Sequence, residues 1–331
     1  MSPSLSLRYA PAARAALARF GVEPATLELH QVSENVTFRV ADAQGKEYVL
    51  RLHRPGYRTL AELDSERAWT DSLLEAGFAV PRRHLTPGGS AYVPVDIDAG
   101  ERRFAGLLEW IPGEPLAVLL RRQLGGQEQD DIAAALGELL ARLHTHSSGW
   151  APPAGFQRPH YDVHGLLGDT PHWGRFWEHP DLSEDERRTL SAVRLHLRDL
   201  LTRLPRGPDL YGMVHSDLHA ENLLIESGTL SAIDFDDAAF GWYYYDIAAA
   251  LKSFADEAGF EDRRDTLLRA YRGARPLAAH DDELVRGFEL IRDLALIGWY
   301  ADRPEVQSIE LAHFARFKDR ALRESESLLR I

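Results

Sequence analysis

Two short polar segments contain the residues of this chain whose types and spacing could do chemistry. The first runs from His215 to Asn222 and reads H-S-D-L-H-A-E-N, and the second begins at Asp234 and reads D-F-D. A phosphoryl-transfer site needs one carboxylate to orient an attacking hydroxyl. It also needs an amide oxygen and a second carboxylate to hold a divalent metal on the nucleotide phosphates. Asp217 is the candidate for the first task, and Asn222 and Asp234 are the candidates for the second.

The apolar runs around these segments must bring the two motifs together. Residues 213–214 precede the first motif, residues 223–225 follow it, and residues 230–233 lead into Asp234 after a Ser-Gly turn. Short apolar runs bounded by turn residues are typical of strands. A hairpin would return Asp234 to the side of Asn222, where their oxygens could share one Mg²⁺, a cation that prefers oxygen ligands.

The two motifs together resemble the catalytic centre of the protein-kinase-like fold, in its aminoglycoside phosphotransferase and choline kinase-like family. Eukaryotic-type kinases carry H-R-D-L and D-F-G. This chain instead has His219 two residues after Asp217, and Asp236 in place of the glycine. The family includes aminoglycoside, choline and homoserine kinases and a bacterial stress-response Ser/Thr kinase. The resemblance implies an α+β fold of two lobes, one an antiparallel sheet with a helix and one mostly helical, with ATP and Mg²⁺ in the cleft between them.

Periodicity and turn residues predict a matching order of elements. The small lobe, residues 1–109, has helical periodicity at 11–20 and 60–76 and strand-like runs at 27–32, 36–40, 47–53, 91–97 and 103–109. Residues 110–113, which include Pro112 and Gly113, are predicted to form the hinge that connects the small lobe to a large lobe, residues 114–331. There, helices are expected after a cap at Asp130, after a capping box at Ser183, and near 246–258, 262–272, 281–299 and 306–329. Residues 149–182 show no clear period and are interpreted as an irregular insertion.

Arg51 is the candidate for neutralising the nucleotide phosphates. It stands in a strand between Leu50 and Leu52, and alternation places it on the opposite face from both. A guanidinium can bind phosphate through two parallel hydrogen bonds. Its expected partner is Glu66 on the following helix, and Glu62, one turn earlier, is a competitor that the sequence does not separate from it.

Two further segments are candidates for nucleotide contacts. Ser33 and Asn35 flank the first strand turn and could offer a hydroxyl and backbone N–H groups to phosphate. This segment has no G-x-G-x-x-G pattern, and an ordinary hairpin turn is an equal alternative. By resemblance, the backbone of Glu109 and Ile111 would hydrogen-bond to adenine.

Three residues are assigned to the support and surroundings of Asp217. The resemblance implies that His215 buttresses the catalytic loop. It also implies that a buried Asp246 accepts backbone N–H bonds from that loop. Asp246 follows three tyrosines at a predicted helix start, where a carboxylate is favourable. His219 either contacts a phosphate or faces solvent.

Acceptor contacts are predicted at Asp236 and in the insertion. Asp236 could bind a cationic group of the substrate or a second Mg²⁺, while the neighbouring Asp237 is interpreted as part of a solvated turn. Trp173 and Trp177 are interpreted as an aromatic wall or lid over the acceptor, or equally as a structural loop packed by its own aromatic residues.

Composition narrows the classes of function. The 331 residues include no cysteine, which excludes disulfides, thiolate metal sites and cysteine nucleophiles. The formal charge of −13 disfavours nucleic acid as a partner and suits either a cationic substrate or plain solubility. No apolar run reaches the roughly 18–20 residues that span a bilayer, and no signal peptide is evident, so we expect a cytoplasmic protein without a membrane partner.

The sequence therefore predicts an ATP- and Mg²⁺-dependent phosphotransferase. Its acceptor would be a hydroxyl of a small molecule of the aminoglycoside, choline or homoserine type, with cationic molecules among the candidates. A protein Ser/Thr kinase of the stress-response type is the first alternative. A non-catalytic nucleotide-binding module is the second. The acceptor, the choice between ATP and GTP, and the oligomeric state stay open.

Overall fold

The computed structural model describes residues 3–32, 35–98, 100–122, 124–255, 259–277 and 281–330. The helices, in chain order, are α1 (Pro3–Phe20), α2 (Leu60–Glu75), α3 (Leu116–Leu120), α4 (Gly126–Gly149), α5 (Val163–Leu167), α6 (Glu184–Arg203), α7 (Tyr243–Leu251), α8 (Phe260–Ala274), α9 (Asp281–Ala301), α10 (Pro304–Ile309) and α11 (Leu311–Leu329). The strands are β1 (Pro24–Val32), β2 (Val36–Asp42), β3 (Glu47–Leu52), β4 (Arg83–His84), β5 (Tyr92–Asp98), β6 (Glu101–Glu109), β7 (Glu114–Pro115), β8 (His160–Tyr161), β9 (Tyr211–Val214), β10 (Leu223–Glu226), β11 (Thr229–Ala232) and β12 (Ala239–Trp242).

The chain divides into two compact units. The first comprises Met1–Glu114, Ala151–Arg158 and Leu224–Asp236, and the second comprises Pro115–Trp150, Pro159–Leu223 and Asp237–Ile331. The sequence-based division was contiguous, whereas here two later segments join the first unit. One of those segments carries Asp234 and Asp236, so the second carboxylate motif belongs to the same unit as Arg51.

The first unit is built on an antiparallel sheet. Its strands run in the order β1-β2-β3-β6-β4, with β5 paired to β6. Helix α1 packs its alanine-rich face and Leu17 into one core with Phe38 and Leu50. This helix was predicted to begin at residue 11. It begins earlier and carries Pro11 inside it, a residue that usually marks a helix start because it lacks an N–H donor.

Alternation along β3 fixes the direction of Arg51, as predicted. Leu50 and Leu52 are fully buried in the α1 side of the sheet, and Arg51 projects from the opposite face. Helix α2 follows with a capping box, in which Thr59 and Glu62 bond each other's backbone N–H groups.

The second unit is mostly helical and includes a small sheet in the order β8-β12-β9. The predicted capping box at Ser183 is confirmed at the start of α6. The predicted cap at Asp130 is wrong, because α4 begins at Gly126 and Asp130 lies 3.1 Å from the guanidinium of Arg263. The stretch 149–182 is more regular than predicted, since it contributes β8, α5 and a 3₁₀ turn at Phe176–Glu178.

The predicted hairpin that precedes Asp234 is confirmed. Strands β10 and β11 are neighbours in one sheet, and Ser227 and Gly228 turn the chain between them with φ angles of 50° and 80°. Such positive φ values suit glycine and are uncommon for other residues. Among the described residues, no helix is long and apolar enough to cross a membrane.

Close packing of α4 on α8 depends on the missing side chain of Gly137. A Cβ atom there would collide with the carbonyl oxygen of Leu267 and lie 3.1 Å from the Cβ of Ala270. We expect Gly137→Ala to lower the free energy of unfolding by about 1–3 kcal/mol, the usual range for overpacking. Chemical denaturation monitored by circular dichroism would measure it.

Gly287→Ala is the matched control, since this glycine also lies inside a helix. A Cβ there would meet only the Leu200 side chain, at an ordinary 3.6 Å. We expect a gain of roughly 0.5–1 kcal/mol from helix propensity. Equal effects of the two substitutions would contradict the packing argument.

Candidate active site

The loop that carries Asp217 is held by the carboxylate of Asp246. Asp246 lies in the first turn of α7 and is buried, and it accepts the backbone N–H of His215 at 2.9 Å and that of Ser216. Ser216 has a φ of 68°, which is unfavourable for a non-glycine residue, so these bonds hold a strained turn in place. The predicted burial and hydrogen bonding of Asp246 are confirmed.

His144 of α4 supports Asp246 from behind. Its Nε2 lies 3.3 Å from an Asp246 oxygen, its Nδ1 lies 2.9 Å from the Tyr271 hydroxyl, and its ring stacks on Tyr243. Burial lowers the pKa of His144, even though hydrogen bonding to Asp246 acts in the opposite direction. A neutral imidazole that donates to Asp246 and accepts from Tyr271 satisfies both contacts.

Asp217 stands at the end of this supported loop with 23% of its side chain exposed. The amide nitrogen of Asn222 donates to the Asp217 carbonyl oxygen at 2.9 Å and to its carboxylate at 3.0 Å. The Nε2 atom of His219 lies 3.3 Å from the same carboxylate, and Arg292 donates to its other oxygen. Asn222, predicted as a metal ligand, and His219, predicted to contact a phosphate or to face solvent, therefore both contact Asp217.

Neighbouring charges keep Asp217 ionised. Burial alone would raise its pKa, but the charges of His219 and Arg292 and the hydrogen bond from His219 outweigh burial and lower the pKa of Asp217 well below its usual range. Burial would lower the pKa of His219, but the charge of Asp217 and the hydrogen bond between the two residues raise it overall. His219 was predicted to contact a phosphate or to face solvent; its ring lies against the Asp217 carboxylate, and 29% of its side chain is exposed.

Arg292 is the contact that the sequence analysis missed. It projects from α9 and is 5% exposed, and its charge compensates Asp217. The signal in the sequence is an arginine within the apolar face of a helix, between Ile291 and Leu294, where a charge is unfavourable unless it has a partner. Periodicity identifies such a residue as buried but does not name its partner.

Within the first unit, Arg51 and Asp234 form an ion pair. Arg51 Nη1 lies 2.8 Å from an oxygen of Asp234, whose φ is 62° and whose side chain is 38% exposed. Burial would lower the pKa of Arg51, but the carboxylates of Asp234 and Asp236 raise it overall. The predicted phosphate-binding cation and the predicted metal-binding carboxylate therefore neutralise each other in this structure.

The predicted pairing of Arg51 with Glu66 is wrong. Glu66 binds Arg83 instead, at 3.1 Å, and both side chains are buried. Glu62 does not pair with Arg51 either, since it closes the capping box of α2 and lies 3.6 Å from Arg58. A cation from the short strand β4 takes Glu66, and the sequence gives no local spacing that would reveal this.

Asp236 is buried among groups of its own unit. Asn35 donates its side-chain amide to Asp236 at 2.6 Å, and a ring nitrogen of His53 lies 3.7 Å away. Burial would raise the pKa of Asp236, but His53, Arg51 and Asn35 lower it. This burial is at odds with the predicted contact between Asp236 and a cationic substrate. Asn35 anchors this cluster, while Ser33, also predicted to contact phosphate, lies outside the described residues.

The two tryptophans of the insertion have different surroundings. Trp177 stacks under the guanidinium of Arg194 of α6 at 3.8 Å and packs edge-on against Phe176, so it contributes to the structural loop. Trp173 lies with its ring centroid 5.8 Å from the Arg292 guanidinium carbon, which brings it near Asp217. Of the two, Trp173 is the one whose position would let it line an acceptor site.

Asn222 in the second unit and Asp234 in the first each carry an oxygen atom of the kind that hard divalent metals prefer. Asn222 donates through its nitrogen to Asp217, which leaves its amide oxygen as the ligand atom, and Asp234 offers a partly exposed carboxylate. Among the described residues, no group of three or more His, Cys, Asp or Glu side chains could hold a metal alone. In the predicted adenine segment, Glu109 donates its N–H to the Arg82 carbonyl at 2.8 Å, so this N–H is already used within the first unit.

Comparison with known proteins places this geometry in a family. The solved structure of the microcompartment-associated aminopropanol kinase is 30% identical, has a TM-score of 0.77, and is matched over 96% of this chain and 94% of that one. A homoserine kinase of Pseudomonas aeruginosa (strain UCBPP-PA14) is 29% identical over 76% of this chain and 72% of that protein. The amicoumacin kinase of Bacillus subtilis (strain 168) is 24% identical over 71% of this chain and 65% of that protein. Residues 26–281 match the model of the phosphotransferase enzyme family, and the chain therefore belongs to that family.

Proposed function

We propose that this phosphotransferase moves the γ-phosphoryl group of ATP to a hydroxyl of a compact small molecule, with Asp217 orienting the hydroxyl. The observation that carries the proposal is the state of Asp217: a partly exposed carboxylate, kept ionised by Arg292 and His219 and bonded by Asn222. A carboxylate fixed in this way can accept a hydroxyl proton without first losing one of its own.

The proposed reaction is a direct transfer. The acceptor oxygen forms a bond to the γ-phosphorus while the bond from that phosphorus to the β,γ-bridging oxygen breaks, and ADP leaves with that oxygen. The hydroxyl proton passes to the Asp217 carboxylate. The residues around Asp217 orient and neutralise charge rather than form a covalent intermediate, as is usual for phosphoryl transfer.

The nucleotide is proposed to bind through the first unit. The adenine would bond the backbone of Glu109 and Ile111, and Arg51 would exchange Asp234 for phosphate oxygens. Asp234 and Asn222 would hold a divalent metal, which we propose to be Mg²⁺ and which neutralises charge on the phosphates when bound. The buried guanidinium of Arg51 is then never without an anionic partner, because phosphate replaces carboxylate.

The acceptor is proposed to be a small amino alcohol. Homoserine and aminopropanol, which are named for two relatives, both place a hydroxyl and an amine on a three- or four-carbon chain. The buried side chains of Arg292 and Trp173 beside Asp217 favour a small acceptor over the Ser or Thr of a protein, since a protein acceptor needs an open groove.

Replacing the base tests the central assignment. We expect Asp217→Asn to lower kcat by about 10²–10⁴-fold, the usual contribution of a positioned acid or base, while ATP binding is retained. Coupled-assay turnover with an amino alcohol acceptor and calorimetric titration of ATP would measure the two quantities. Asp169→Asn is the control, because Asp169 is exposed and pairs with Arg194. Unchanged turnover in Asp217→Asn would reject the proposed role.

The metal assignment predicts a shifted metal requirement. We expect EDTA to abolish turnover and Mg²⁺ to restore it, and Asn222→Ala to raise the Mg²⁺ concentration for half-maximal activity by about 10–100-fold. A titration of Mg²⁺ at fixed ATP would measure this. Glu221→Ala removes the exposed acidic neighbour of Asn222 and should leave the requirement unchanged. The same midpoint for both variants would argue against Asn222 as a ligand.

Asp246 is expected to act by positioning the catalytic loop. Asp246→Asn keeps the shape but loses the charge that receives two N–H bonds, and a displacement of Asp217 by about 1 Å can cost 10²-fold in kcat. We expect kcat to fall by about that factor while KM for ATP stays the same. Asp162→Asn is the control, since Asp162 also accepts two backbone N–H groups but caps α5. A loss of stability without a loss of kcat would show that Asp246 serves the fold alone.

A further inference from the structure

Arg292 has more hydrogen-bonding capacity than its neighbours use. Its Nη2 donates to Asp217, and its Nη1 lies 3.4 Å from the Tyr245 hydroxyl. The Nε–H has no hydrogen-bond partner among the described residues, although it is buried. An arginine that served only to neutralise Asp217 would not need a free donor at Nε. A buried N–H without an acceptor is unfavourable.

Trp173 offers a second donor in the same state beside Arg292. Its Nε1–H is also buried and without a partner among the described residues, and its ring lies 5.8 Å from the guanidinium carbon of Arg292. Both groups can only donate hydrogen bonds. A ligand that satisfied them would therefore have to bring acceptor oxygens, and an ammonium group would not satisfy either one.

The backbone that carries Trp173 is fixed to the helix that carries Arg292. A Cβ on Gly298 of α9 would lie 2.5 Å from the Trp173 carbonyl oxygen and 2.6 Å from that of Gly174. Gly174 has a φ of 88°, and a Cβ on it would lie 2.7 Å from the Gly298 carbonyl oxygen. Both donors are therefore held by helix α9 and the backbone packed on it, and such fixed positions are what a preorganised binding site needs.

We propose that the acceptor carries a carboxylate, and that this carboxylate binds the Nε–H of Arg292 and the Nε1–H of Trp173 while the hydroxyl lies on Asp217. This inference rests on the proposed function and narrows its acceptor to a compact hydroxy acid, including hydroxy amino acids. Arg292 would then hold the base with one nitrogen and the substrate with another. Because one guanidinium spans both groups, the hydroxyl and the carboxylate must be only a few bonds apart.

The local charges permit an anionic group there. Arg292 experiences the carboxylates of Asp217 and Asp237, and Asp217 also has His219 as a cationic neighbour. These two carboxylates and two cations balance each other, so hydrogen bonds more than these charges would decide binding. A zwitterionic hydroxy amino acid suits such a balance, since it adds no net charge while its carboxylate accepts from the two donors.

A matched pair of acceptors separates this proposal from a general role of Arg292. L-Homoserine and 3-aminopropan-1-ol share the hydroxyl, the amine and the carbon chain, and only the first has a carboxylate. We expect wild-type kcat/KM to favour homoserine by about 10²-fold or more, as for sites built to bond a polar group. We expect that ratio to approach one in Arg292→Met and to recover in part in Arg292→Lys. Trp173→Phe, which keeps the ring and loses the N–H, should lower the ratio by about 10-fold.

The outcomes distinguish the proposals. Equal losses on both acceptors in Arg292→Met would mean that Arg292 acts only on Asp217 or on the transferred phosphoryl group, and would overturn the inference. A wild-type preference for 3-aminopropan-1-ol would overturn it without any variant and would leave the proposed function intact. Thermal unfolding of each variant would separate misfolding from loss of the contact.

A binding measurement tests the proposed carboxylate site even if no acceptor is turned over. Homoserine, 3-aminopropan-1-ol and 4-hydroxybutanoate would be titrated calorimetrically into wild type and Arg292→Lys with a non-hydrolysable ATP analogue. If homoserine and 4-hydroxybutanoate both bind the wild type and bind the variant more weakly, the carboxylate site is supported, even where no acceptor is phosphorylated and the proposed function has failed. Absence of carboxylate binding to the wild type would overturn the inference.

Discussion

In the second unit, the loop that carries Asp217 depends on one buried carboxylate, that of Asp246. Asp246 receives the N–H groups of His215 and Ser216 and thereby fixes a turn that a serine would otherwise avoid. A buried carboxylate is unfavourable unless hydrogen-bond donors surround it. Those donors come from the loop and from His144, so the loop, α7 and α4 are stabilised by the same charge. The position of Asp217 follows from that arrangement.

A second feature is that Asp217 is held ionised although most of its surface is buried. Two cations do this: Arg292 binds one oxygen and His219 lies beside the other. An arginine is suited to this task because it cannot relieve the cost of burial by losing its proton. Asn222 adds a neutral donor, which orients the carboxylate without changing the charge of the site.

Local patterns predicted much of this arrangement. The turn at Ser227-Gly228 predicted the hairpin before Asp234, and alternation predicted the face of Arg51. The loop motif placed Asn222 close to Asp217, whereas the contact of His219 with Asp217 was not predicted. The contacts that were missed connect distant parts of the chain. Arg292 lies 75 residues from Asp217, and Arg83 reaches Glu66 from a two-residue strand. No periodicity relates such residues, because their pairing is set by how elements pack and not by the sequence near them.

The same solution is used twice, once in each unit. Asp234 in the first unit and Asp217 in the second are the carboxylates assigned to chemistry, and each is held by a buried arginine, Arg51 and Arg292 respectively. A lone buried charge would be far more costly than a pair, so each arginine stabilises the carboxylate beside it. Under the proposed function, binding would then be an exchange of partners. An incoming oxygen anion would replace or join a carboxylate that is already there, and no new charge would have to be buried without compensation. On this view, the two arginines proposed to bind ligands, Arg51 and Arg292, are also the residues that compensate the buried carboxylates.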